Sequence, residues 1–475
     1  MFNLFSVTRS RLAFVLLAFP VLVVATESDS LFQTPQVFDL QIDFPYPSFL
    51  DTLYEYAPEE IYVACSFNCN GVALDSVGVR FKGNSSLFGH PGDKKPFKLK
   101  FNHYRDEQLF FDLQKLNLNN GFKDPTFLRE KLTYDFMGQF IPSPRANFAR
   151  VFLNGEYWGF YTMVEQVDKP FIEDRFGNGE DGNLFKGDPH GDLTWRGNDP
   201  ELYWGDYELK TNEEANDWSD LIHFIDVLNN TADGDLSTEL PPVFMDSNWR
   251  LFLAMNTLFV NLDSYQGSGH NYYLYHREDN DRFIHIPWDL NESFGNFNMG
   301  MGMYQLLHMP IDYAGSPQRP LCIRTFDLPE FRNWYEGHLA DLAENYFTEV
   351  DLFPQIDALA DLIRVDVLAD PRKQFSDADF DFNIDNHLGP HPGLKPFIVQ
   401  RRQSVIEQVG GAEANPPLVL NELMADNGST LTDEIGEFED WVELHFSGDG
   451  TFNLGGCYLT DDPTDPTRWM FPDTL

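Results

Sequence analysis

Between residues 32 and 168 apolar and polar positions alternate with a period of two, broken by short turn-forming clusters. VFDLQIDF (37–44), EIYVACSFNCNGVALDSVGVRF (60–81), KKPFKLKF (94–101) and KLNLN (115–119) therefore predict strands with one buried face. Asn120-Gly121 is a turn, after which Asp124 caps a predicted helix carrying Pro125 in its first turn. NFARVFLNGEYWGFYTMVEQVD (147–168) predicts a hairpin across Asn154-Gly155. From about residue 212 the period lengthens to that of helices in WSDLIHFIDVLNN, NWRLFLAMNTLFVNL, FRNWYEGHLADLAENYF and DLFPQIDALADLIRVDVLAD. Residues 365–395, with DADFDFNIDNHLGPHPG, read as an acidic loop, and PFIVQRRQSVIEQVGG as a closing helix. GGAEANPP (410–417) is a linker by composition, and the short alternating strands after it predict a β-sandwich.

The two ends and the composition narrow the class. Arg9 and Arg11 precede an apolar run from Leu12 to Ala25 and a Val-Val-Ala-Thr junction, the layout of a secretory signal peptide over residues 1–25. The run is shorter than the roughly 20 residues a membrane helix needs, and no later segment is apolar enough to span, so a secreted or cell-surface protein without a stable membrane span is expected. The formal net charge is −42, and removing the two arginines makes it −44. Such a surface disfavours nucleic acid and anionic membrane as partners and favours basic substrates or a salty medium. A hydrophobic content of 42% supplies ample core, and 475 residues predict more than one domain. Four cysteines are too few for a disulfide framework; Cys65 and Cys69, in CSFNC, are candidates for a local bridge.

The segment from Met255 to Gly295 carries the densest chemistry. Asp263 follows one apolar run, Asn271 comes eight residues later, and Asp289 ends a second apolar run. ATP chemistry needs that set: one carboxylate to orient the attacking oxygen, and an amide with a second carboxylate to hold the divalent metal. GHNYYLYHREDNDRFIHIPWDL reads as two strands joined by the polar REDND, which would bring Asn271 and Asp289 together with Asp263 at the entrance. The words NLDSY, GHNYYLY and IPWDLNESFG resemble the catalytic segment of the spore-coat CotH family of atypical, protein-kinase-like phosphotransferases. The resemblance extends over roughly residues 38–408. It implies that Asp263 takes the place of the kinase catalytic aspartate. Asp289 then takes that of the metal-binding aspartate, although the word here is WDL. Ordinary kinase words such as HRD, DFG and the usual glycine-rich loop are absent.

Phosphate needs cations, and they cluster. Between Arg80 and Lys131 eleven Lys and Arg face six Asp and Glu, a local inversion within an acidic chain. In RFKGNSS, Gly83, Ser85 and Ser86 can present backbone N–H groups to phosphate oxygens. Alternation in KKPFKLKF puts Lys98 and Lys100 on one face, so either could act with Arg80 on phosphates, and Glu130 is the candidate acidic partner. MVEQVDKPFI matches the family's word at the place of a kinase hinge, which makes Glu165 a candidate contact for adenine or ribose or, equally, a structural carboxylate holding the lobes together. Of the sequons at Asn84, Asn229, Asn291 and Asn427, the first and third fall in the predicted site and are expected bare.

NELMADN, FEDWVELHF, NLGGCYLTDD and RWMFP resemble the opening half of a lamin-tail, Ig-like domain. Residues 418–475 are about sixty residues where such a sandwich needs near 100, so an incomplete one is expected. Thirteen Asp and Glu against one Arg set this module against nucleic acid.

The sequence thus predicts an α+β chain: a protein-kinase-like two-lobed fold over 38–408, strand-rich first and helix-rich second, a linker over 409–417, and the truncated sandwich over 418–475. The resemblance implies a secreted atypical kinase that uses ATP and Mg²⁺ or Mn²⁺ to phosphorylate Ser or Thr of an exported protein. Contact with a cell surface or extracellular matrix is assigned to the C-terminal module. Two rivals are a non-catalytic structural or adhesive coat protein with an inactive kinase-like fold, and a metal-dependent hydrolase or calcium-binding surface protein suggested by the Asp-rich loops.

Overall fold

The computed structural model describes residues 26–177, 182–315, 318–410, 418–424, 427–432, 436–446, 458–459 and 469–470. The expected signal peptide and most of the expected linker lie outside them. Two compact units divide at Arg402/Gln403.

The first unit opens with seven strands that close into a barrel: β1 (Val37–Asp43), β2 (Val63–Cys69), β3 (Val72–Phe81), β4 (Phe97–Lys100), β5 (Lys115–Asn119), β6 (Ala146–Leu153) and β7 (Glu156–Glu165), in the order β1-β2-β3-β4-β5-β7-β6. Closure comes from β1 lying parallel to β6, Val37 opposite Phe148 through Ile42 opposite Leu153. That pairing leaves no open edge in a chain so rich in alternating apolar residues. The inward positions Leu40, Ile42, Phe67, Val77, Val79, Phe97, Leu99, Leu116, Leu118 and Met163 fill the interior. The outward set on the β3–β4–β5 arc is polar and cationic. A turn with both residues at positive φ, Asn154-Gly155, joins β6 to β7 as the hairpin pattern predicts.

Cys65 and Cys69 are both free and buried inside the barrel. They sit four residues apart on the single strand β2, about 13 Å of extended chain, well beyond disulfide reach. The expected local bridge is therefore ruled out by geometry.

A second sheet follows, in the order β11-β10-β8-β9, from β8 (Leu184–Gly187), β9 (Tyr207–Leu209), β10 (Tyr272–Arg277) and β11 (Arg282–Pro287). Its central hairpin, β10–β11, is the one predicted around REDND. The remainder of this unit is helical, with Ser219–Asn230, Asp246–Phe259, Pro329–Asn345 and Glu349–Ala369 as the long members. These match the four helical patterns.

Two local expectations are corrected. The helix after Asp124 begins at Arg129, because Phe127 takes a positive φ that no helix accommodates. Asp124 still serves its N-terminus, accepting the Arg129 N–H at 3.0 Å and pairing with the buried Arg129 guanidinium. The acidic loop contains a helix, Asp377–Asp385, started by a Ser376–Asp379 capping box. Phe380, Asn383 and Ile384 form its buried side.

The second unit includes β12 (Leu418–Met424) paired antiparallel with β13 (Trp441–Phe446), and the short pair β14 (Tyr458–Leu459) and β15 (Trp469–Met470). Among the described residues no helix is long and apolar enough to cross a membrane.

Candidate active site

Barrel alternation decides which side chains reach the outer face of the β3–β4–β5–β7 arc. With Val79 and Phe81 inside, Arg80 points outward opposite Lys98, and Lys98 lies opposite Asn117; one pair further along, Asn119 lies opposite Thr162. Lys82, just past the end of β3, continues this row. Its Nζ donates to Asn119 Oδ1 at 2.8 Å, while Asn119 Nδ2 donates to both Glu130 oxygens at 2.8 and 3.0 Å. One amide thus links a lysine to the carboxylate on the helix Arg129–Met137. Burial, with help from Asp289, raises Glu130 to about 8, against the Asn119 hydrogen bond and the Lys82 charge. Burial also lowers Lys82, aided by Lys186 and Arg80 and opposed by Asp289 and Glu130.

The opposite wall is made of loops. The helix Asp246–Phe259 stops where Val260 enters the left-handed region, and the chain then folds into a tight loop from Asn261 to Asn271. Asn256 donates to the Asn261 carbonyl, Ser264 Oγ and Gln266 Oε1 at 3.0, 3.2 and 2.8 Å, and Ser268 N donates back to the Leu262 carbonyl at 2.9 Å. Gly269 has φ +84, and a side chain there would run into the Arg319 guanidinium. From this rigid loop Asp263 faces the cleft. Asn271, also left-handed at φ +61, donates its side-chain amide to the Asp263 carbonyl at 3.0 Å and its own carbonyl accepts from Trp288 N at 3.2 Å.

Asp289 follows β11 with φ +57, and its N–H donates to Tyr134 Oη at 2.9 Å. No donor among the described residues reaches its carboxylate. Burial and the Asp263 charge raise Asp289 above the ordinary carboxylate range, against the pull of Lys82, Lys186 and His270. Glu292, three residues on, is buried and accepts Lys123 Nζ on both oxygens at 3.1 and 3.0 Å. Burial and the neighbouring Asp263 still push it to about 7. Lys82, Asn119, Glu130, Asp263, Asp289 and Glu292 line one cleft, together with Gly83, Ser85 and Ser86 of the RFKGNSS turn.

The structure sets Asp263, Asp289 and Glu130 along one cleft, with Asn271 bonded to the Asp263 carbonyl. It sorts the cations differently. Lys82, one of the eleven counted but not singled out, is the lysine that lines the cleft with the acids. Lys98 is its neighbour on the arc. Burial and then the charges of Arg80, Lys82, Lys186 and Lys115 hold it well below the usual lysine range, and no anion pairs with it among the described residues. Lys100 lies one pair further away, opposite Gly78 and Lys115. Arg80 is committed to Glu60 at 2.8 Å and to the Phe81 carbonyl at 3.0 Å. Glu165 is 1% exposed and its carboxylate is taken by Arg145, at 2.5 and 3.1 Å, and Arg175, at 3.0 Å. This is the geometry of a structural ion pair and leaves adenine or ribose no acceptor there. Among the sequons, Asn291 lines the cleft, while the Asn229 and Asn427 amides are spent on backbone carbonyls.

The chain matches the family described as CotH kinase protein over residues 79–405. It is 30% identical over 298 residues to a Bacillus subtilis (strain 168) protein called inner spore coat protein H, an alignment covering 60% of this chain and 78% of that one.

Proposed function

The chain belongs to the CotH kinase protein family, and from that premise we propose that it transfers the γ-phosphoryl group of ATP to a hydroxyl, that of Ser or Thr on an exported or coat protein. The observation that carries the reading is the cleft itself, in which Asp263 and Asp289 face Lys82 across a space edged by the RFKGNSS turn. On this reading the barrel and the helix-rich remainder act as the two lobes of a kinase-like fold, and the C-terminal strands begin a lamin-tail-type sandwich.

Asp263 orients the acceptor hydroxyl and takes its proton as the oxygen attacks the γ-phosphorus. Lys82 donates charge-assisted hydrogen bonds to the phosphates, with Asn119 and Glu130 fixing its position. Lys98, without an anionic partner, is the second cation a phosphate would reward. The donor chemistry fits a hard divalent cation: Asp289 offers a poorly solvated carboxylate that accepts no hydrogen bond among the described residues, and Asn271, whose backbone carbonyl accepts from the Trp288 N–H next to Asp289, offers an amide oxygen. Bound there, Mg²⁺ or Mn²⁺ would neutralise charge on the phosphates. Two protein ligands with phosphate and water completing the shell is the usual habit of Mg²⁺.

The name of the Bacillus relative supports the rival reading of a coat component, and a secreted location fits both. Incubating the protein with Mg²⁺, a hydroxyl acceptor, and ATP labelled in either the α- or the γ-phosphate separates them. Label on the acceptor from γ-labelled ATP alone is the expected result. No label from either, with no nucleotide bound, would overturn the kinase reading in favour of a structural coat protein.

A further inference from the structure

Of the ten residues from Asn261 to His270, seven are buried and only Asp263, Ser268 and His270 are partly open. These three meet at one atom. His270 Nε2 lies 2.9 Å from Asp263 Oδ1, and Ser268 Oγ donates to that same oxygen at 3.1 Å. Among the described residues nothing donates to Asp263 Oδ2. We infer that His270, assisted by Ser268, is a positioning residue that anchors one oxygen of Asp263 and so presents the other to the acceptor hydroxyl. The inference rests on the phosphotransfer reading and extends it.

The physical reason is rotational. An Asp carboxylate turns easily about its terminal torsion, which is broad and nearly two-fold. A base that must meet a hydroxyl within hydrogen-bond distance loses efficiency with each misaligned state. Two donors on one oxygen remove the ambiguity. Since Asp263 acts as a carboxylate and only accepts, Nε2 of His270 must carry the proton in this contact. The next residue, Asn271, donates to the Asp263 carbonyl. Consecutive residues therefore grip the side chain and the backbone of the same aspartate, tying the base to the amide that would hold the metal.

The backbone gives His270 little room to drift. Gly267 and Gly269 are packed so closely, against the Leu262 carbonyl and the Arg319 guanidinium, that neither admits a side chain. Arg319 Nη2 also donates to the Gly267 carbonyl at 3.0 Å. Ser268 N donates to the Leu262 carbonyl at 2.9 Å, closing the loop one residue before Asp263.

The test compares His270→Ala, His270→Gln and Ser268→Ala in phosphoryl transfer and in Mg-ATP affinity. His270→Ala should lower kcat by on the order of 10- to 100-fold while Mg-ATP affinity stays within about threefold. His270→Gln, whose amide N–H reaches a similar position, should recover most of the loss, and Ser268→Ala should cost less than His270→Ala. Equal losses in the Ala and Gln variants, or a fall in affinity matching the fall in kcat, would reduce His270 to a fold-supporting role. A transferring wild type with an unaffected His270→Ala overturns this inference alone. A wild type that transfers nothing overturns the phosphotransfer reading and this inference with it.

Discussion

The two walls of the cleft are built by opposite means. The cationic wall hangs on the barrel, whose register sets Asn119 opposite Thr162, where it meets Lys82, just past the end of β3, in the cleft. The acidic wall stands on loops whose key residues Asn271 and Asp289 both adopt left-handed backbone, with Asp263 held by its neighbours. Register is shared along a strand, so several lysines look equivalent until the barrel closes. Loop geometry is local, so each acid has its own short word. The difference teaches where function is recorded: in contiguous residues on one wall and in tertiary placement on the other. It also predicts unequal tolerance, with the acids irreplaceable and the cations graded by distance from Asp289.

The largest effect should come from the acidic wall. Asp289→Ala should abolish metal-dependent nucleotide binding, since water replaces a carboxylate ligand poorly. Unchanged Mg-ATP affinity in a calorimetric titration would remove the metal role. On the cationic wall, Lys82→Ala should weaken ATP by roughly 10- to 100-fold, the worth of a charge-assisted hydrogen bond, and leave adenosine almost unaffected. Lys98→Ala should cost less and Lys100→Ala least. A reversed order would return the phosphate contact to β4 and break the grading.

The smallest effect is on stability. Glu130 keeps its proton up to about 8, whereas the unfolded chain sheds it near 4.5. Between those values the folded state binds more protons, so this group's contribution to stability falls as pH rises. Glu130→Gln lacks that titration. Thermal melts at about pH 5 and about pH 8 should show the variant gaining on the wild type at the higher pH, and a constant difference would contradict the buried, raised carboxylate.

Much of the barrel could be read from period-two alternation, because each strand buries one face and the pattern survives in VFDLQIDF and FKLKF. What alternation could not say is that β1 would lie parallel to β6 and close the sheet, a contact across more than a hundred residues. The helix Asp377–Asp385 was hidden because its acidic residues outweigh the three buried ones, yet Ser376 with Asp379 was a capping signal in plain view. That Asp263 and Asp289 would meet at one cleft was legible from the order of the two apolar runs they follow. Lys82 was not, since its role depends on Asn119 bridging it to Glu130, and nothing in the sequence pairs those three. The sequence could not choose between a nucleotide contact and a structural carboxylate at Glu165, because the Arg145 and Arg175 that pair with it come from other segments.

The central claim is that Asp263 performs the chemistry while the rest of the cleft holds the nucleotide. Asp263→Asn, close in size to the native residue, tests it most directly when kcat and Mg-ATP affinity are measured on one preparation whose thermal melt confirms folding. The account predicts a loss of turnover of about 10²- to 10⁴-fold, the usual worth of a positioned general base, with affinity nearly unchanged. Near wild-type turnover in a folded Asp263→Asn protein would contradict it.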